Sequence, residues 1–288
     1  MGAVEGMTPR RFAVIGSPVA HSLSPVLHRT AYEVLGIADA VYDRHDVPAG
    51  QLRAFLTEGP GRELDGLSVT MPGKPEAFAL AAEADATSQA LGVSNTLIRR
   101  PDGRWRAENH DVHGIAAALG DHGAGSPRTG AVLGSGATAL SAVAALISLG
   151  VTDLLLTARS PHKLAPLQEL AGGAGLAVRL VPWEHRHRLL ETEVLVSALA
   201  AEGARAVAGQ WRALPHLPAP GVLLDVLYDP WPAPIAAVVA AAGGEVADGL
   251  EMLAHQADRQ LRSMLGIAAA PVPQMLAAAR AALDRRPR

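Results

Sequence analysis

The stretch LSVTMPGKPEAF (67–78) stops an apolar run at Thr70 and then sets Lys74 on a turn shaped by a proline and a glycine. A solvated surface lysine needs no such frame. An ammonium fixed at one point can give a proton to an oxygen on which charge develops, the task of a general acid. Other hydrogen-bonding side chains hold comparable places: Ser22 and Ser24 in GSPVAHSLSPVLH, Asn95 in ALGVSNTL, Asp111 in ENHDVHG, Tyr228 in DVLYDPWPAP and Gln256 in EMLAHQA. Most fall at strand ends or helix starts, the edge at which open α/β sheets bind ligands. The glycine–lysine pair is not a phosphate loop, because the spacing and the other glycines of that motif are missing.

Phosphates have a better candidate. GSGATA (134–139) fits G-x-G-x-x-A between an apolar strand and a helix. Gly134 permits the tight turn, Gly136 lets a pyrophosphate approach the backbone, and Ala139 is small enough for helix and strand to pack. With Ser135, Ala137 and Thr138 these residues open a helix whose N–H groups and positive dipole end suit phosphate. A plain structural turn is the competing reading, since Gly/Ala strings are common in alanine-rich chains. About 20 residues on, an NAD site carries an acid for the ribose 2′-hydroxyl. Here LLLTARSPHK supplies Arg159, Ser160 and Lys163 instead. A guanidinium there suits a 2′-phosphate through charge-assisted bonds, which favours NADP over NAD.

Positioning these residues takes alternating strands and helices. RFAVIG (11–16), AVYDRHDV (40–47) and LDGLSVT (64–70) read as strands. PVLHRTAYEVLG (25–36), GQLRAFLTEG (50–59) and PEAFALAAEA (75–84) read as helices, the first with Ser24 as N-cap, Pro25 at its first position and Gly36 at its end. VSNTLIRR (93–100) and WRAEN (105–109) flank PDG as a hairpin. Residues 129–160 read as a βαβ unit, followed by strands in AVRLVPW, TEVLVSAL and GVLLDVLY. DGLEMLAHQADRQLRSMLG (248–266) is an amphipathic helix with Leu250, Leu253, Ala257 and Leu261 on its apolar face. The alternation predicts an α/β fold of parallel sheets covered by helices. DHGAGSPRTG (121–130) is the clearest compositional break between two units.

The 288 residues are 49% hydrophobic and 18% charged, a globular composition with room for two ordinary domains. Aromatics are only 3%, so aliphatic side chains and alanine must build the core. A net charge of −3 with no block of one sign argues against nucleic acid or an anionic membrane as partner. The absence of cysteine excludes a disulfide, a thiolate metal site and a cysteine nucleophile. No uninterrupted apolar run is long enough to span a bilayer, and MGAVEGMTPRRFAV lacks a signal-peptide core, so a cytoplasmic location is expected. Residues 1–9 read as a loose leader, with Met7 an alternative start.

Taken in order, GSPVAHSLSP, VTMPGK, GVSNTL, NHDVHG, GSGATA, the AR after the second strand of the later unit, DVLYDP and DGLEMLAHQA make the chain resemble the shikimate dehydrogenase family from Phe12 to Gly266. The resemblance implies reversible reduction of 3-dehydroshikimate to shikimate with NADPH. It implies Lys74 and Asp111 as the catalytic pair, and Ser22 and Ser24 on the substrate carboxylate with Tyr228 nearby. Thr70, Asn95, Asp111 and Gln256 would bind the ring hydroxyls, and Val226 and Gly249 would lie near the nicotinamide. The implied architecture is two domains with a cleft between them: an α/β substrate domain with a mostly parallel sheet (1–111 plus 250–288) and a Rossmann-type NADP domain (112–249). The expected partner is a small molecule, with no nucleic acid, membrane or metal. The oligomeric state is open, a homodimer being one option.

Some positions depart from the family. Asn109-His110-Asp111 stands where Asn-Thr-Asp is usual, and Ala158-Arg159-Ser160 where Asn-Arg-Thr is usual. His110 is expected either at the surface or as a tuner of the site. His110, Asp111 and His113, or His185 and His187, suggest a metal only weakly, since no further grouped ligand accompanies them. Trp183, Trp211 and Trp231 read as packing anchors near prolines. The nearest alternative function is a relative that oxidises quinate with NAD. Another is a non-catalytic dinucleotide or metabolite sensor, against which an intact Lys74 and Asp111 speak.

Overall fold

The computed structural model describes residues 9–286; the expected leader, apart from Pro9, lies outside them. The chain divides into two compact units. One takes the chain as far as His110 and resumes at Ala257; the other is Asp111–Gln256.

In the first unit β1 (Arg10–Gly16) is followed by α1 (Ser24–Leu35), β2 (Ala40–Asp46), α2 (Leu52–Thr57) and β3 (Gly66–Val69). β1 lies between β2 and β3, parallel to both. Its Phe12, Ala13, Val14 and Ile15 are all buried, as a strand covered on both faces requires. α3 (Lys74–Leu80), β4 (Glu83–Ala84) and α4 (Ala86–Leu91) precede the hairpin of β5 (Thr96–Arg99) and β6 (Trp105–Glu108). β5 runs antiparallel to both β3 and β6, and the sheet order is β2-β1-β3-β5-β6-β4.

Two local expectations change here. Ser24 is not an N-cap: it is the first helical residue, Pro25 the second, and the Ser24 N–H donates to Ser22 Oγ at 3.3 Å. The alanine run after Lys74 leaves the helix at Leu80. Ala82 N–H donates to Trp105 O at 2.9 Å and Asp85 N–H to Ala107 O at 3.0 Å, so β6 captures this backbone as a short strand. Asp85 then caps α4 by accepting Ser88 N–H at 2.7 Å. Tertiary pairing overrides the helix propensity of alanine.

The second unit opens with α5 (Asp111–Asp121), then runs β7 (Thr129–Leu133), α6 (Ala137–Ser148), β8 (Asp153–Thr157), α7 (Ala165–Gly173) and β9 (Ala177–Leu180). It continues through β10 (Val194–Ser197), α8 (Ala201–Arg212), β11 (Val222–Asp225), α9 (Pro234–Ala241) and β12 (Glu245–Asp248). All its strand pairs are parallel, in the order β12-β11-β10-β7-β8-β9. This is the doubly wound order of a dinucleotide-binding sheet, with its switch point between β7 and β10. The fold is thus α/β with two parallel-dominated sheets, as the alternation predicts. The break at 121–130 does not separate the units: it joins α5 to β7 within the second, because Ile115, Ala118 and Leu119 share a core with Val132, Ala142 and Leu146.

α10 (Gly249–Leu265) belongs to the second unit up to Gln256 and to the first from Ala257, and α11 (Val272–Asp284) packs on α1. Leu250, Leu253, Ala257 and Leu261 of α10 are buried, as the amphipathic pattern predicts. Trp211 is a core residue, whereas Trp231, on the proline-rich loop before α9, is 40% exposed and anchors no core.

Gly134 follows β7 with φ 131°, and a Cβ there would stand 2.6 Å from the Ala198 carbonyl, just past β10. Gly134→Ala should cost about 1–3 kcal/mol and lower the thermal midpoint by about 2–4 °C per kcal/mol. A midpoint identical to that of the parent would show that the turn has room to relax.

Candidate functional site

Lys74 is the first residue of α3 and only 8% exposed. A helix N-terminus carries partial positive charge, so local electrostatics alone would not place an ammonium there. The backbone holds it in place. Gly73 N–H donates to Thr70 O at 2.9 Å, closing the turn, and Ser94 N–H donates to Lys74 O at 3.0 Å. Thr70 stands just past β3, its N–H donating to Ile15 O at 2.9 Å. Ser22 and Ser24 are buried with their hydroxyl oxygens 3.3 Å apart.

Asn95, just before β5, is 2% exposed. Its carbonyl accepts Val69 N–H at 2.7 Å, and its own N–H donates to Glu108 O at 3.1 Å. Its Oδ1 accepts from His110 N–H and from the Thr96 hydroxyl, each at 2.9 Å. His110 is not a surface residue: its side chain is 14% exposed and pairs with Glu108 Oε2 at 2.9 Å, while Arg106 takes the other oxygen at 3.0 Å. Burial opposes ionisation of Glu108. Hydrogen bonds from His110 and Ser263 and the charges of His110 and Arg106 outweigh it, holding the carboxyl below its usual range. Gln260 escapes the sequence reading. Buried on α10, it reaches Asn95 O at 3.2 Å and Thr96 Oγ1 at 3.0 Å through Nε2. The available signal was a glutamine between Ala257 and Leu261, on the stripe that the helical period buries.

In the second unit Asp111 opens α5, 2% exposed, where the helix dipole favours an acid. Gln256 is half-buried on α10. These two helices are paired by His255 Nε2 and the Asp121 carboxylate at 2.8 Å, with the His113 and His255 rings edge-on at 6.4 Å. Among the described residues no group of three His, Cys, Asp or Glu is placed to hold a metal.

At the switch point Gly134, Ser135 and Gly136 carry the chain from β7 to α6, which opens at Ala137 and Thr138. Apart from its immediate chain neighbours, nothing crowds the place where a Cβ on Gly136 would stand, so a ligand can approach its backbone. Ala139 is fully buried, as close helix–strand packing demands. Arg159 and Lys163 are exposed and Ser160 half-buried just past β8, the neighbour of β7. A tight turn, an open approach, the N–H groups of a helix start and two cations on one sheet edge fit a dinucleotide carrying an extra phosphate. Val226 and Tyr228 follow β11, and Gly249 opens α10 after the adjacent β12. A Cβ on Gly249 would lie 2.4 Å from Val226 O, so these two backbones touch as closely as glycine allows. Asp225, at the end of β11, is fully buried, and one of its oxygens accepts Leu227 N–H at 3.3 Å. Burial pushes its carboxyl up to about 7, so the group is neutral over much of the acidic range.

Residues 14–97 match the family described as the shikimate dehydrogenase substrate binding domain. The chain is 33% identical over 274 residues to shikimate dehydrogenase (NADP(+)) of Synechococcus sp. (strain JA-3-3Ab), a match covering 93% of this chain and 92% of that one. It is similar to the crystal structure of the Mycobacterium tuberculosis shikimate dehydrogenase, with 43% identity and a TM-score of 0.82 over 95% of this chain and 100% of that one. The Thermus thermophilus shikimate 5-dehydrogenase, solved in complex with NADP(H) and shikimate, is 31% identical with a TM-score of 0.80, over 95% of this chain and 100% of that one.

The raised value for Asp225 has a definite sign. A carboxyl that titrates higher in the folded protein than in the unfolded chain contributes stability fully below its ordinary value of 3.8 and loses it as pH rises through about 7. Asp225→Asn should therefore flatten the decline of unfolding free energy across that window. Parallel pH profiles for the two proteins would take Asp225 out of the account.

Proposed function

The chain belongs to the shikimate dehydrogenase family, and on that basis we propose that it catalyses the reversible NADPH-dependent reduction of 3-dehydroshikimate to shikimate, in the route to aromatic amino acids. The observation that carries the chemistry is the placing of Lys74. It is a buried lysine at the first residue of a helix, its backbone held by Ser94 N–H and by the turn closed on Thr70. The cofactor reading is supported by relatives that are NADP(+)-dependent by name and by the Thermus thermophilus complex with NADP(H) and shikimate.

In this reading the substrate belongs to the unit that carries Lys74, and NADP to the unit that carries the GSGATA turn. Bound NADPH supplies the hydride. Lys74 gives its ammonium proton to the ketone oxygen as that carbon is reduced, and accepts it back in the oxidising direction. Asp111 is the carboxylate member of the acid–base pair. Ser22 and Ser24 donate to the substrate carboxylate, with Tyr228 assisting. Thr70, Asn95 and Gln256 hold the ring hydroxyls. The amides from Gly134 to Thr138 take the pyrophosphate. Arg159, Ser160 and Lys163 take the 2′-phosphate, and Val226 and Gly249 border the nicotinamide.

Turnover of shikimate and of quinate, each with NADP and with NAD, tests the reading directly. The highest kcat/KM is expected for shikimate with NADP, and a higher value for quinate with NAD would overturn it. Lys74→Ala should lower kcat by ~10²-fold or more, with a smaller change in the KM for shikimate. Unchanged turnover would remove Lys74 from the mechanism. Arg159→Ala should raise the KM for NADP by roughly 10-fold, the scale of one lost charge-assisted hydrogen bond, with little effect on NAD.

A further inference from the structure

We propose that Gln260 is a positioning residue that sets the side-chain amide of Asn95 through the Thr96 hydroxyl, so that Asn95 meets the substrate as a hydrogen-bond donor. This rests on the substrate role given to Asn95 above.

Groups that can only accept or only donate set the direction of the bonds from Gln260 to Asn95. Asn95 O can only accept, so the Gln260 atom at 3.2 Å from it is Nε2, which also donates to Thr96 Oγ1 at 3.0 Å. That leaves Gln260 Oε1 to accept from the Ser68 hydroxyl at 2.9 Å, and Ser68 in turn accepts from Tyr42 O–H at 2.6 Å. Having accepted from Gln260, Thr96 spends its own proton on Asn95 Oδ1 at 2.9 Å. The His110 N–H, which can only donate, reaches the same oxygen at 2.9 Å and fixes it as Oδ1. Two donors fill the lone pairs of Oδ1, so what Asn95 offers a ligand is donation from Nδ2.

The network is dry and its far end is braced. Ser68, Thr96, Asn95 and Gln260 are all buried. The His28 ring stacks on Tyr42 with centroids 4.0 Å apart; burial, only partly opposed by a hydrogen bond with Gln260, pushes its pKa down to about 3, so it stays neutral. A buried relay of this kind has one low-energy arrangement, because reversing any hydroxyl strands a donor against a donor.

The test is a set of variants of the full-length protein, each measured for melting temperature, kcat, and the KM for shikimate and for NADP. Thr96→Val keeps the volume and removes the relayed proton; Gln260→Met removes both ends of the amide. Each should raise the KM for shikimate by ~10-fold, the scale of one misdirected hydrogen bond, with kcat within a factor of about 3 and the KM for NADP unchanged. Thr96→Ser, which retains the hydroxyl, should stay near the parent. The double variant should be no worse than the worse single one, because both act on the same amide. If Gln260→Met does not fold, the Thr96→Val and Thr96→Ser pair carries the test alone. If Asn95→Ala raises the KM for shikimate while Thr96→Val does not, the relay is wrong and the role of Asn95 stands. If Asn95→Ala leaves that KM unchanged, the substrate role of Asn95 falls and the relay falls with it. A lowered melting temperature with both KM values moving together would mark a merely structural network and overturn the proposal.

Discussion

The 2.7 Å hydrogen bond from Val69 N–H to the Asn95 carbonyl is the seam on which the first unit depends. Val69 ends β3, the last strand of the parallel part of the sheet, and Asn95 stands at the entry to β5, the first antiparallel strand. On one side of this bond the chain goes on to Thr70 and the turn that sets Lys74. On the other, Asn95 reaches to Glu108 and His110. Polar groups crowd a nearly dry place, which is tolerable only when each finds a partner. Gln260 supplies partners from a helix much later in the chain, and Glu108 supplies them from β6.

The second unit reaches its result by removing side chains. In the proposed reading the first unit uses directional hydroxyls and amides, while the switch point of the second, with Gly134, Gly136, Ala137 and Ala139, offers backbone N–H groups at a helix start. The contrast follows from the ligands proposed. Ring hydroxyls need donors and acceptors at fixed angles, whereas a pyrophosphate needs close approach and positive potential. Asp225 is neutral when protonated, and His122 is clamped between Glu245 and Glu251 at the ends of β12 and α10. Burial opposes protonation of His122, but the two carboxylates raise its pKa above the usual value.

Much of this was legible in the sequence, for physical reasons. A buried parallel strand must be a continuous apolar run, so β1, β7 and β10 announce themselves. Glycine is demanded where a Cβ would stand 2.6 Å from another backbone, so GSGATA marks its turn. Alanine blurred the rest. α11 buries Met275, Ala279 and Leu283 at helical spacing, but alanine on every face dilutes the contrast between buried and exposed positions. The same blur hid β4, where an alanine-rich segment pairs with β6 instead of coiling. Gln260 stayed hidden because its worth depends on Ser68, Asn95 and Thr96, and no local pattern couples residues so far apart.

The crossing of α10 from one unit to the other imposes an order on the making of the molecule. Synthesis delivers the strands of the first unit early, but the part of α10 that carries Gln260, and all of α11, only after the whole of Asp111–Gln256 has been made. Arg286, whose guanidinium donates to the His21 carbonyl at 2.6 Å beside Ser22, comes later still. A nascent chain folds by complete units. The uninterrupted second unit can therefore close while Ser68 and Thr96 are still hydrogen-bonded to water, and the half of the protein that begins first on the ribosome is finished second.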